Sequence, residues 1–443
     1  MTLASAADQL LTPSNPKHQS VWRHDRMNCS LRREKLFDLM KDRSVLLLFS
    51  GAPAHISVDA YSPFEANRHF FYLTGLRREN MVLVMKKGNG TVSSTLYIEK
   101  TDPFTERWTG KMITAEEARV ISGIDDIRYT DRFEREMNFF LSTSDTEYAY
   151  FDCYRHSTED MPHFNLTKAQ EFSSRVPGIQ VLNLWPLVTS LRMEKDTEET
   201  KLLKKAIGIT DSALQNVMSC LRPGMYEYQA QAVFEYTLQY QGAEGTSFPT
   251  IAGSGKNGTM MHYETNRDLC SDGELLLLDL GAKWEGYNAD ITRTYPISGK
   301  YTERQKKVYS IVLKANRAVA AAAKPGLSLR DLNDLTKQVL AEGCIELGLI
   351  KDAGEIGKYY MHSVSHHLGI DVHDVTTPGS VLTPGCVITD EPGLYIDEWG
   401  IGIRIEDDLL ITENGCECLS EQIIRDPDEI EAFMRDHHRE QNI

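Results

Sequence analysis

The chain has 443 residues, of which 64 are acidic and 48 basic, giving a formal net charge of −16. This length predicts two or three domains, and the negative charge disfavours nucleic acid as a partner because phosphate groups would be repelled. No apolar run approaches the roughly 18 residues of a membrane span, so no membrane association is expected.

Two features predict a cytoplasmic location. The first 17 residues have no basic n-region, and Asp8 interrupts their apolar part, which disfavours a secretory signal. The eight cysteines are scattered and form no CxxC pair. Such usage is typical of reduced thiols in the cytosol rather than of a disulfide framework.

The first part of the chain has the pattern of a mixed α/β domain. Strands are predicted over residues 44–51 and in both halves of 81–100, where Asn89 and Gly90 form a hairpin turn. After Pro186 the sequence pattern changes, and helical periodicity of the apolar residues dominates from Thr197. We predict an N-terminal α/β domain over 1–188 and a second domain over 189–443.

The second part contains an internal repeat. A helix, a Pro-Gly break at Gly224 and a second helix are followed by the same plan with its break at Gly326. Each Pro-Gly ends one helix and allows the next to begin. A β-rich stretch with two spaced acids follows each helix pair, which predicts a pseudo-twofold fold.

The first acid pair is Asp279 and Asp290, in "LLLLDLGAKWEGYNADITRTYP". Its midpoint falls between Trp284 and Glu285. If the chain reverses there, the two carboxylates are directly opposed across antiparallel strands, with Cβ atoms roughly 4.5–5.5 Å apart. A bare carboxylate beside such an apolar run would be costly to bury.

The second acid pair is Glu391 and Glu406, with a midpoint between Glu398 and Trp399. A pseudo-symmetric fold would bring both hairpins together, so that four carboxylates share one cavity. They would repel one another and be expensive to desolvate. Two divalent cations would cancel their charge, which predicts a two-metal centre.

A nitrogen ligand is expected from "MHSVSHHLGIDVHDV", which contains His362, His366, His367 and His373. Their spacing is not HExxH, so a single-zinc helix is not indicated. An oxygen-rich set with one imidazole suits manganese or cobalt-like ions better than structural zinc.

Two other patterns point to different chemistry. "GSGKNG" at 253–258 matches GxGxxG, but no amphipathic helix follows it, so dinucleotide binding is disfavoured. The paired acids could also be glycosidase carboxylates, but that interpretation explains neither the repeat nor the histidines.

The stretch 197–425 closely resembles the catalytic domain of the M24B metallopeptidases, the family of Xaa-Pro aminopeptidase (aminopeptidase P) and prolidase. The resemblance is carried by "GSGKNGTMMHYETN", "LLDLGAKWEGYNADITRTYP", "SHHLGIDVHDV", "EPGLYI" and "GIGIRIEDDLLIT", in the family's order. "FFYLTGL" and "RWTGKM" are similar to its non-catalytic domain. The resemblance implies an α/β (α+β) protein, with a creatinase-like N-terminal domain followed by a pitta-bread catalytic domain.

The resemblance also implies the ligand set. Two divalent metal ions, usually Mn2+, would be held by Asp279, Asp290, His366, Glu391 and Glu406. Asp290 and Glu406 would bridge both ions.

Further residues match the family's catalytic positions. His262, His362 and His373 match its substrate-binding and proton-handling histidines, and Arg404 matches its arginine near the metals. Glu391 is the expected proton acceptor from water.

The function implied is hydrolysis of peptides with proline in the second position by metal-activated hydroxide. We favour aminopeptidase P over the alternative, prolidase, which cleaves Xaa-Pro dipeptides. A metal-free binding module and the metal-free hydrolase creatinase are remoter alternatives, because this chain keeps the complete ligand set. The resemblance implies a homodimer or homotetramer.

Overall fold

The computed structural model describes residues 28–438, and their first part forms one six-stranded mixed sheet flanked by helices. The strands are β1 (Ser44–Phe49), β2 (Val82–Gly88), β3 (Thr91–Ile98), β4 (Asp126–Tyr129), β5 (Tyr148–Phe151) and β6 (Gln180–Asn183), in the order β4-β3-β2-β1-β5-β6. The helices are α1 (Cys29–Leu39), α2 (Arg68–Thr74), α3 (Pro103–Thr109), α4 (Ala115–Ser122), α5 (Phe133–Thr143), α6 (Phe164–Arg175) and α7 (Trp185–Arg192). The predicted hairpin is present, with φ of 53° at Asn89 and 70° at Gly90.

The second part begins with α8 (Thr197–Cys220) and α9 (Glu227–Tyr240), followed by β7 (Gly245–Thr246), β8 (Ile251–Ser254), β9 (Leu275–Leu280), β10 (Ala282–Trp284), β11 (Tyr287–Asn288) and β12 (Ile291–Pro296). A second helix pair, α10 (Glu303–Ala322) and α11 (Leu329–Glu346), precedes β13 (Val387–Asp390), β14 (Gly393–Ile396), β15 (Ile401–Arg404), β16 (Asp407–Ile411) and β17 (Cys416–Cys418). The described chain ends with α12 (Pro427–His437). The predicted mixed α and β architecture is confirmed.

The internal repeat extends to individual hydrogen bonds. Gly224, between α8 and α9, has a φ of 88°, and its N–H donates to the carbonyl of Cys270 at 2.9 Å. Gly326, between α10 and α11, has a φ of 90° and donates to Leu382 at the same distance. Both breaks need a backbone conformation that glycine adopts without a steric penalty. The predicted repeat is therefore confirmed.

The first acid hairpin has a different register from the predicted one. β9 and β12 are antiparallel, but Asp279 is paired with Thr292, so the predicted direct opposition of Asp279 and Asp290 is wrong. The chain reverses at Glu285 and Gly286, which both have positive φ, 46° and 84°. A two-residue turn of this kind needs left-handed backbone at both central positions. Its centre lies between Glu285 and Gly286, one residue later than the predicted midpoint between Trp284 and Glu285.

The second acid hairpin has the predicted register. β14 and β15 pair Gly393 with Arg404, and the neighbouring ladder of β13 and β16 continues the same register. This pairing places Glu391 opposite Glu406. The reversal lies at a short 3₁₀ turn that ends at Gly400, which has a φ of 61°.

One hydrophobic core connects the two parts of the chain. A single cluster of buried side chains includes Leu36 and Phe70 from the first part and Leu278 and Ile403 from the acid hairpins. Because the hairpins are part of this core, their backbones are held rigidly where the acids project. None of the eight cysteines, all within residues 28–438, forms a disulfide bond. Across the same residues, every helix is too short or too polar to cross a membrane.

Candidate metal centre

The predicted acids are carried by the two hairpins. Asp279 is in β9 and Asp290 immediately precedes β12; Glu391 immediately follows β13, and Glu406 lies between β15 and β16. The hairpins are joined by the backbone N–H of Glu406, which donates to the carbonyl of Thr292 at 3.0 Å. The four acids are therefore carried into one region by strands that are hydrogen-bonded to one another.

Three of the predicted ligands meet directly. Asp290, His366 and Glu406 each offer one atom within 4.8 Å of the others, and this is the only such acid or imidazole group in residues 28–438. His366 Nε2 lies 3.4 Å from Asp290 Oδ2 and 3.5 Å from Glu391 Oε1. The backbone of His366 is fixed by Thr389, whose Oγ1 accepts from its N–H at 3.1 Å. These donors fit a divalent cation that prefers oxygen and one nitrogen.

Asp279 is paired with Arg404. The guanidinium Nη2 lies 2.5 Å from Asp279 Oδ2, while Asp279 Oδ1 is buried without a hydrogen-bond partner. Such a buried carboxylate oxygen is the kind of atom that a metal ion would satisfy. Arg404 also donates to Thr292 Oγ1 at 3.0 Å and to the Tyr395 hydroxyl at 2.9 Å.

Thr292 and Tyr395 were not identified as site residues from the sequence. Thr292 Oγ1 donates to Glu406 Oε2 at 2.6 Å, and Tyr395 links Arg404 to His362. Both residues lie inside the motifs quoted above, which is the signal that could have marked them.

Burial and mutual repulsion raise the carboxyl pKa values. Burial, together with nearby Asp279, raises the pKa of Asp290 to about 6 against the effect of His366. Burial likewise raises the pKa of Glu391 to about 7, and that of Glu406 well above its usual value with Asp290 adding to the shift. Burial lowers the pKa of His366, but hydrogen bonding and attraction to Asp290 raise it overall, to about 9. These carboxyl groups thus bind protons more readily than usual, and bound cations would replace such protons.

His362 lies beside Glu391. Its Nε2 is 2.9 Å from the Tyr395 hydroxyl, and its Nδ1 is 2.8 Å from the Ser363 carbonyl and 3.7 Å from Glu391 Oε2. Burial, followed by the charge of Arg404, lowers the pKa of His362 to about 4, so the ring is neutral at neutral pH.

The remaining histidines named from the sequence, His373, His262 and His367, differ in their surroundings. His373 stacks on His366 with 3.9 Å between ring centroids, and burial lowers its pKa to about 4. His262 is exposed and is close enough to contribute to the lowered pKa values of His362 and His373, so the three rings lie near one another. His367 is 2% exposed and its Nδ1 has no hydrogen-bond partner.

The paired hairpins and this donor set are those of a protein suited to bind divalent cations. Residues 201–413 match metallopeptidase family M24, and residues 29–150 match the aminopeptidase P N-terminal domain. The chain belongs to metallopeptidase family M24, and its N-terminal domain places it with the aminopeptidases P. The predicted family and enzyme class are confirmed.

The similarity to individual relatives covers almost the whole chain. The chain is 34% identical over 429 residues to the Xaa-Pro aminopeptidase of Escherichia coli strain K12, covering 91% of this chain and 96% of that protein. A solved structure from Bacillus anthracis, named only provisionally as an aminopeptidase P, is 43% identical with a TM-score of 0.90, covering 93% and 98% of the chains. The E. coli aminopeptidase P with the inhibitor Pro-Leu is 32% identical with a TM-score of 0.84, covering 94% and 99%.

Proposed function

We propose that this metallopeptidase releases the N-terminal residue from peptides that have proline in the second position. The observation that carries the proposal is the approach of Asp290, His366 and Glu406 to within 4.8 Å. It occurs in a chain that aligns with 96% of an Xaa-Pro aminopeptidase.

We propose that Asp279, Asp290, His366, Glu391 and Glu406 hold two divalent cations, most suitably Mn2+. When bound, such cations lower the pKa of water and polarise the scissile carbonyl. The unpartnered Asp279 Oδ1 and the raised pKa values of Asp290 and Glu391 support a site built for added positive charge. The intact set of acids argues against a metal-free binding module and against a creatinase-like hydrolase.

The remaining roles belong to proton transfer and substrate contact. Glu391 would accept the proton of the attacking water on a carboxylate oxygen, because it lies among the proposed ligands, beside His362 and His366, where that water would bind. His362 would act beside it after exchanging one of its present hydrogen bonds, stabilising the oxyanion through a ring N–H. Neutral His373 and exposed His262 would contact the substrate. Arg404 would hold Asp279 and Tyr395 in place.

Arg404 favours the aminopeptidase over the dipeptidase. A dipeptidase must pair the free carboxylate of the proline with a cation. Arg404 is 3% exposed, and its three nitrogens donate to Asp279, Thr292 and Tyr395. The segment 374–390, which leads to Glu391, contains no lysine or arginine. Neither feature supplies the cation that a dipeptide would need.

The test compares Xaa-Pro-Yaa with Xaa-Pro peptides on the Mn2+-loaded enzyme, with chelator-treated enzyme as the control. We expect the tripeptide to have the larger kcat/KM, because it gains contacts beyond the proline without burying an unpaired carboxylate. Hydrolysis of the dipeptide alone would identify a prolidase. Equal cleavage of peptides without proline would contradict both assignments.

We further propose a pitta-bread catalytic domain over 189–443, an N-terminal domain over 1–188 and a cytoplasmic homodimer or homotetramer. Proline-containing peptides are the proposed partners, and neither nucleic acid nor membrane is expected to bind. The net charge of −16 supports the expectation for nucleic acid.

A further inference from the structure

A buried glutamate outside the metal centre receives an unusual number of hydrogen bonds. Glu227 is the first residue of α9 and is 0% exposed. Its carboxylate accepts from Ser254 N at 2.7 Å, Ser254 Oγ at 2.8 Å, Asn257 Nδ2 at 3.0 Å, Tyr263 OH at 2.8 Å and Asp268 N at 2.9 Å. A carboxylate offers about four lone-pair sites, so this one is saturated by donors.

All of these donors belong to one segment, residues 254–268, which we call the His262 loop. Ser254 and Asp268 are its two ends, and the backbone N–H of Glu227 also donates to the Asp268 carbonyl at 3.0 Å. Tyr263, the residue after His262, is held by the same carboxylate. Glu227 therefore fixes both ends of the loop and the neighbour of its histidine.

The loop also packs on the second acid hairpin. A Cβ atom placed on Gly402, in β15, would lie 1.8 Å from the carbonyl oxygen of Gly258. The two backbones are thus as close as a residue without a side chain allows. The loop is thus held both by the hairpin and by Glu227, and His262 lies within this held segment.

We infer that Glu227 is a positioning residue that sets the place of His262, and through it the bound substrate. The inference rests on the proposed role of His262 in substrate contact. Charge-assisted bonds to one buried carboxylate hold a loop more tightly than bonds to solvent, because the acceptor is 0% exposed and fixed at the start of α9. None of the five proposed ligands lies on the loop, so metal binding is separate from this function.

The first test is Glu227→Gln. The amide keeps the shape of the side chain, but its NH2 group faces a backbone N–H at one end of the loop, which cannot accept a hydrogen bond. We expect kcat/KM for an Xaa-Pro-Yaa peptide to fall about tenfold to a hundredfold, as small misplacements of catalytic groups do. Bound Mn2+ per chain should stay unchanged. The control is Glu136→Gln in α5, because Glu136 accepts from Tyr97 and Arg128 in the first part of the chain, so that the change removes an acid from a side-chain network away from the loop.

The second test is a double-mutant cycle with His262→Ala, which separates positioning from general destabilisation. If Glu227 acts through His262, the double variant should have the kcat/KM of His262→Ala alone. Additive losses, or a Glu227→Gln variant with wild-type kcat/KM, would overturn the inference. Full activity of His262→Ala would instead contradict the proposed role of His262.

Tyr263→Phe keeps the inference testable if Glu227→Gln does not fold. It removes one donor to the carboxylate and the acceptor of a hydrogen bond from Asn257, and it leaves the other four bonds to Glu227 in place. We expect a smaller loss of kcat/KM, and this loss should also vanish when His262 is already alanine. A loss that persists in the His262→Ala background would refute positioning through His262.

Discussion

At the scale of single residues, the site is governed by the cost of burying like charges. Asp290 and Glu406 are 4% and 2% exposed, and their carboxyl groups have raised pKa values. Buried carboxylates that repel one another, as these two do, keep their charges when a cation compensates them. Residues in this position should therefore control metal retention more strongly than folding.

We expect Asp290→Asn and Glu406→Gln to lose bound metal and several orders of magnitude in kcat. Both substitutions keep the side-chain shape and remove the negative charge that would bridge two cations. Metal per chain and turnover are measured on the same preparation, with exposed Glu413→Gln as the control for removing an acid. Near-native turnover with full metal content would rule out the bridging roles.

His373→Ala should separate substrate contact from metal binding. The ring of His373 stacks on His366 and is absent from the close group of donors, so we treat it as a substrate contact. The variant should lose activity and retain both metal equivalents. Loss of one equivalent would make His373 a ligand.

Residue types singled out the four acids and a cluster of histidines from the sequence, and the family resemblance assigned His366 among them, but neither identified the residues that hold the proposed ligands. The five candidates lie in spaced motifs whose acids and histidine are chemically distinctive. Thr292 and Tyr395 have no such chemical signature, because a hydroxyl serves many structural purposes. Their contribution depends on the strand register that places Thr292 opposite Asp279 and on the approach of Arg404.

At the scale of elements, the two hairpins differ in what their spacing could predict. The midpoint of Glu391 and Glu406 coincides with the observed reversal, whereas that of Asp279 and Asp290 is one residue early. The difference arises because Glu285 adopts positive φ together with Gly286. A non-glycine residue in that conformation is held there by the surrounding structure, which spacing alone does not encode.

Gly286→Ala should destabilise the protein more than Gly90→Ala. Both glycines have positive φ in tight hairpin turns, so each alanine is expected to cost about 1–2 kcal/mol of backbone strain. At Gly286 the added Cβ would also lie 2.7 Å from the ring of Phe71, whereas nothing lies within 4 Å at Gly90. This overpacking should add about 1–3 kcal/mol.

Urea unfolding measures the difference between the two variants. Gly90→Ala serves as the matched control for backbone strain, since it lacks the steric contact. Equal losses of unfolding free energy would show that the Phe71 ring moves aside at little energetic cost. The contact between Phe71 and Gly286 would then not be tightly packed.

At the scale of the whole molecule, buried charges link the first part of the chain to the loop that carries His373. Arg192 donates to Asp374 and, at 2.9 Å, to Asp371, while Lys195 lies 2.9 Å from Asp374. Arg192 Nη1 is also 3.2 Å from His69 Nδ1. Because a guanidinium only donates, this Nδ1 must accept and the ring must be neutral. Long-range arrangements of this kind leave no pattern in the sequence, since the partners are far apart along the chain.

This arrangement predicts a pH-dependent contribution to stability. Burial, followed by the charge of Arg192, lowers the pKa of His69 to about 4, below the usual 6.5. Between these values the unfolded chain binds a proton that the folded chain does not. The contribution of His69 is therefore fully present above pH 6.5 and falls as the pH is lowered, by about 1.4 kcal/mol per pH unit.

The measurement is the difference in unfolding free energy between the wild type and His69→Asn from pH 7 to pH 4. The Asn side-chain oxygen lies near the former Nδ1 position and can accept from Arg192, but it does not titrate. Titration of the metal-site carboxyls, which have raised pKa values and act with the opposite sign, is common to both proteins and cancels in the difference. The advantage of the wild type over the variant should shrink as the pH falls. A difference that stays constant over this range would mean that His69 titrates alike in the folded and unfolded chains, and that the contact with Arg192 does not hold the ring neutral.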